Sequence, residues 1–63
     1  MTQKELSYFE DAVGHEKSII KILEESTNKL SDEELINFMN NELEIHNNLK
    51  NNLMNKLEEK ANG

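Results

Sequence analysis

The side chains in this sequence best suited to chemistry are Glu16, Glu42 and His46. Glu16 interrupts an apolar series between Val13 and Ile20, and His46 interrupts another between Leu43 and Leu49. Glu42 precedes His46 by one helical turn on nearly the same face. A hairpin folded at residues 28–31 sets residue 16 level with about residue 43, given a rise of roughly 1.5 Å per residue. The three groups are then expected within about one turn of each other. Carboxylates and imidazole converging inside a helical bundle are the donor set of a di-iron or di-manganese centre, which makes Glu16, Glu42 and His46 the candidate metal ligands. The same residues admit a plainer reading, a hydrogen-bonded pair that fixes helix register. His15 points about 100° away from Glu16 and is read as a solvent-facing or dimer-edge residue.

Two amphipathic helices must position these groups. The first carries Leu6, Phe9, Val13, Glu16, Ile20, Leu23, Thr27 and Leu30 at alternating steps of three and four. The second repeats those steps with Ile36, Met39, Leu43, His46, Lys50, Leu53 and Leu57. Each set is a heptad seam. Ala12, Ile19, Leu35 and Leu49 flank the seams, and Tyr8, Ile22, Phe38 and Ile45 widen them. Such breadth exceeds what one neighbour can cover, so the fold expected is all-α: a two-helix antiparallel hairpin that dimerises into a four-helix bundle. Helix 1 is expected over about 3–27, a turn over 28–31, and helix 2 over about 32–60, as one domain. Met39 and Met54 read as core filler.

Each helix opens on a capping signal. Thr2-Gln3-Lys4-Glu5 has the form of a capping box. Ser31-Asp32-Glu33-Glu34 repeats it, with Leu30 and Leu35 placed as a hydrophobic staple and three acids suited to the positive end of the helix dipole. No proline breaks the chain, so Asn28 is the expected left-handed residue ending helix 1. Gly14, inside helix 1, is either tolerated at about 1 kcal/mol relative to alanine or marks a close helix approach. Asparagine is frequent in helix 2, which is therefore expected to depend on packing more than on propensity. Residues 60–63 are expected to fray.

Composition narrows the function. Thirteen acidic residues face seven lysines, for a net charge of −6. That balance repels phosphate backbones and anionic lipid surfaces, which argues against nucleic acid and membrane as partners. No apolar run has the length of a membrane span, and the first residues carry no signal-peptide core, so the expectation is a cytoplasmic protein. With 63 residues and no cysteine, the chain has neither disulfides nor a large core to stabilise it. A second copy of itself is the leading source of stability, and a metal the next. Serines 7, 18, 26 and 31 lie at caps or helix surfaces without a base and orienting group, and no glycine-rich phosphate loop is present, so no enzymatic activity is expected.

Several short stretches resemble the small ferritin-like proteins of spore-forming bacteria, the coat protein F-like family. They are Thr2-Gln3-Lys4-Glu5-Leu6, Glu10-Asp11, Glu16-Lys17-Ser18-Ile19-Ile20-Lys21, Asp32-Glu33-Glu34-Leu35, and His46 followed by Leu49 and Leu53. The resemblance implies a ferritin-like half-bundle completed by dimerisation, associated with the spore coat and in contact with other coat proteins. It matches Glu16 to the first-helix glutamate and His46 to the histidine of Glu-x-x-His. Leu43 stands where that motif has glutamate, and Leu23 lies where a tyrosine often follows; both departures favour a structural member. Two other functions compete with the structural one: a protein binding iron or manganese, and a small acidic regulator presenting a helix face to a protein. The hairpin phosphatases of sporulation carry Ser-x-x-Leu-Asp, and Ser31-Asp32-Glu33-Glu34-Leu35 has neither that spacing nor that aspartate.

Overall fold

A computed structural model describes residues 1–62. Two helices account for nearly all of them, α1 over Gln3–Lys29 and α2 over Glu33–Asn62, packed side by side as an antiparallel hairpin. The result is a rod of 46 × 14 × 11 Å. No helix among the described residues is long and apolar enough to cross a membrane.

The start of α1 follows its sequence signal. The Thr2 hydroxyl accepts from the Glu5 amide at 3.1 Å, and the Thr2 amide donates to the Glu5 carboxylate at 2.8 Å, completing the capping box. These bonds hold the Glu5 carboxyl below its ordinary pKa of 4.5, the Thr2 backbone contributing most and its hydroxyl next.

The turn departs from expectation in three ways. Helix α1 runs to Lys29, and no described residue has a positive φ, so Asn28 is not left-handed. The chain leaves the helix instead through Leu30, extended at φ −89° and ψ 146°, whose amide donates to the Thr27 carbonyl at 3.3 Å. Leu30 ends the first seam half-buried, so an apolar anchor replaces the conformational device. Second, Asp32 rather than Ser31 caps α2. Its carboxylate accepts from the Glu34 amide at 2.9 Å and the Leu35 amide at 3.2 Å, while its carbonyl takes the first helical bond, from Ile36. An ionised acceptor at the positive helix end competes better than a neutral hydroxyl. Third, this shift dissolves the expected staple, because Leu35 now falls on the third helical residue and is 48% exposed.

At the far end α2 stays helical through Asn62, two residues beyond the expected limit and into the stretch expected to fray, while Gly63 lies outside the described residues. Both seams face inward as read: every one of their positions is buried or half-buried. The interior they enclose is thin. Among the described residues Val13 and Ile20 are its only well-buried apolar residues, and no side chain is wholly enclosed. Met54, expected in the core, is exposed, whereas Met39 is half-buried. A Cβ added at Gly14 would meet nothing within 4 Å, so this glycine admits no close helix approach within the hairpin and is simply tolerated. Three polar side chains turn back on their own helices: the half-sheltered Thr27 hydroxyl and Asn47 amide donate to the carbonyls of Leu23 and Leu43, and the exposed Ser18 hydroxyl does the same to Gly14.

Two outcomes test the caps. Asp32→Ala should cost about 1 kcal/mol in thermal or urea unfolding, with Ser31→Ala within a few tenths of wild type. Because folding lowers the Glu5 pKa, its contribution is complete above pH 4.5 and disappears as pH falls through the lowered value. Amide exchange at the start of α1 should therefore quicken on acidification in the wild type and show less of this dependence in Thr2→Ala.

Candidate functional site

Midway along the hairpin, the polar breaks in the two seams meet. The His46 ring nitrogen Nδ1 lies 2.6 Å from Glu16 Oε2, and Nε2 lies 3.7 Å from Glu42 Oε2. Glu16 is the most sheltered charged residue among those described, at 7% exposure. His46 is half-buried, and Glu42 sits on the flank of the same seam. Residue 16 meets residue 46 rather than 43, because extending α1 to Lys29 and moving the cap to Asp32 shifts the turn centre toward Ser31.

The three expected ligands are thus together, but arranged about the imidazole. One ring edge donates to Glu16 and the other faces Glu42, so the two carboxylates lie on opposite sides of the ring. Ligands of a single ion must instead aim their lone pairs at one point, and at metal–ligand distances near 2.1 Å neighbouring donor atoms sit about 3 Å apart. The 2.6 Å contact is too short for an ion shared by Glu16 and His46 and is the length of a charge-assisted hydrogen bond. No group of three or more histidine, aspartate and glutamate side chains among the described residues is placed to hold a metal. The residues do not fit a preformed iron or manganese centre in this arrangement. They do fit a register lock: a sheltered carboxylate on α1 that only one ring on α2 satisfies.

A second feature was not assembled from the sequence. On α1, Tyr8, Ala12, His15, Ile19 and Ile22 recur at steps of four and three; on α2, Leu35, Phe38, Glu42, Ile45 and Leu49 do the same. Each set forms a second heptad seam, about 110° round its helix from the first. In an antiparallel pair the positions just before the first seam's leading residue lie on the same side of both helices. The two second seams therefore share one face of the hairpin. Tyr8, Ile22, Phe38 and Ile45 are each more than half exposed there. The opposite face is serine, glycine, asparagine and charged residues, with Met54 its one large apolar side chain. The spacing carries this signal, but the eight apolar residues flank the first seams so closely that in sequence they merge with them into one broad stripe. His15 is exposed on this face, as expected of a histidine at a dimer edge or in solvent. Glu42 belongs to both features, reaching His46 from a position in the second seam.

Two open clefts occur at the free end of the hairpin, lined by Met1, Thr2, Gln3, Leu6 and Lys60 and by Met1, Glu5, Phe9, Lys56 and Lys60. Neither contains the Glu16–His46 pair. Comparison with protein-family models, with curated proteins and with solved structures finds no match to this chain.

A double-mutant cycle tests the lock. His46→Leu leaves the Glu16 carboxylate sheltered without a donor and should cost about 2–3 kcal/mol in urea unfolding. Combining it with Glu16→Leu should recover most of that loss, since two leucines continue the seams. Additive losses would show that the two side chains do not act as a pair.

Proposed function

We propose that this chain is a non-enzymatic structural or assembly protein that acts as a homodimeric four-helix bundle, of the ferritin-like kind found in spore coats. The observation that carries this reading is the second apolar face. The hairpin exposes 4937 Å², whereas a compact monomer of this mass exposes about 4,200 Å². The excess, about 740 Å², is of the order of what one partner contributes to a standard stable interface. A thin interior with two well-buried apolar residues gives little reason for the hairpin to persist alone. Covering the second face in a second copy supplies the missing apolar burial, at roughly 25 cal/mol per Å².

What the remaining residues do supports the structural reading. The sheltered polar group, Glu16, is occupied by His46, an arrangement suited to fixing register. The spore coat as the place of action, with other coat proteins as further partners, rests on the resemblance carried by Thr2–Leu6, Glu16–Lys21 and His46.

Sedimentation of the purified protein at tens of micromolar should give twice the chain mass. Phe38→Glu or Ile45→Glu, on the second face, should shift it to monomer and lower the unfolding midpoint. Ser18→Glu, on the polar face, should leave both unchanged. A wild-type monomer, or a dimer indifferent to Phe38→Glu and Ile45→Glu together, would remove this reading.

A further inference from the structure

We infer that the two hairpins pair with their turns at the same end, the twofold axis running along the bundle, so that α1 of each copy covers α2 of the other. This arrangement rests on the dimer proposed above and specifies it.

Side-chain size is the first argument. The apolar members of the second seam of α2, Leu35, Phe38, Ile45 and Leu49, are all bulky, whereas those of α1 include the small Ala12 among Tyr8, Ile19 and Ile22. Interiors fill best when large positions face smaller ones. Turns at the same end set the bulky seam over the lighter one at both contacts. Turns at opposite ends set α2 on α2 and α1 on α1, crowding one half of the interface and underfilling the other.

Charge is the second. Glu42 is the acidic member of the central part of this face, and it lies on α2. With α2 on α2, each Glu42 is laid against a helix whose second seam carries the other Glu42 and no histidine. With α1 on α2 they fall on diagonally opposite helices, and each faces the helix that bears His15.

Axial level is the third. The apolar positions run from Leu35 beside the turn to Tyr8, and beyond Tyr8 the face becomes charged with Glu5, Lys56 and Glu59. Copies with turns at the same end meet level for level without stagger. Reversed copies placed flush would set Leu35 against that charged end, and must slide by about one helical turn to avoid it.

The absence of cysteine makes the test direct. Ser31→Cys at the turn and, separately, Glu59→Cys near the free end each carry one nitroxide label per chain, and pulsed electron resonance reads the distance between the two copies after sedimentation confirms the oligomeric state. Same-end pairing predicts less than about 25 Å at both sites, since adjacent helices lie about 8–10 Å apart and the labels add their own length. Reversed pairing predicts about 40 Å or more at both sites, close to the hairpin length of 46 Å. That result would overturn this inference while leaving the dimer intact. A monomer by sedimentation, with no dipolar coupling at either site, would overturn the dimer itself.

Discussion

Each helix of this chain has two apolar seams, and a hairpin can close only one of them. The constraint is geometric: the seams lie about 110° apart round the helix, so a single neighbour reaches one and leaves the other in water. The inner seams, from Leu6 to Leu30 and from Ile36 to Leu57, are sheltered against each other, and the outer ones bear Tyr8, Ile22, Phe38 and Ile45 largely exposed. The thin interior, the surface in excess of a compact monomer and the division of the rod into one apolar and one polar face all follow from that fact.

Within the inner seam the Glu16–His46 pair has a different job from its apolar neighbours. Leucines and isoleucines tolerate sliding, since a shift of one heptad presents the same pattern again. A sheltered carboxylate does not, because moving it away from its donor leaves a charge without compensation. The pair therefore selects one alignment among several that apolar contact alone would permit. Glu42 extends this polar line outward, since it faces His46 on one side and stands in the outer seam on the other. A partner laid on the outer face would change the surroundings of Glu42 and, through it, of the imidazole. The lock on the hairpin and the apolar outer face are thus joined at one residue.

The ends of the helices illustrate how local signals compete. Thr2 and Glu5 form the reciprocal cap their spacing announces, with no rival acceptor nearby. At α2 two acceptors are adjacent, Ser31 and Asp32, and the one with a full negative charge takes the free amides. The displacement of one residue is small locally but propagates, because together with the longer α1 it moves the turn centre and places residue 46, not 43, beside Glu16.

The sequence by itself determined the helices, the inner seams and the proximity of Glu16, Glu42 and His46, because heptad spacing and the absence of proline leave few alternatives to two long amphipathic rods. It also held the outer seam in plain spacing, though a seam is recognised as separate only when it is known which face the neighbour covers. Only the tertiary structure decided which acceptor caps α2, how the chain reverses at Leu30, and which carboxylate each ring nitrogen of His46 faces. Those outcomes depend on the mutual rotation and axial offset of two helices, set by contacts some thirty residues apart along the chain, and no local pattern encodes them.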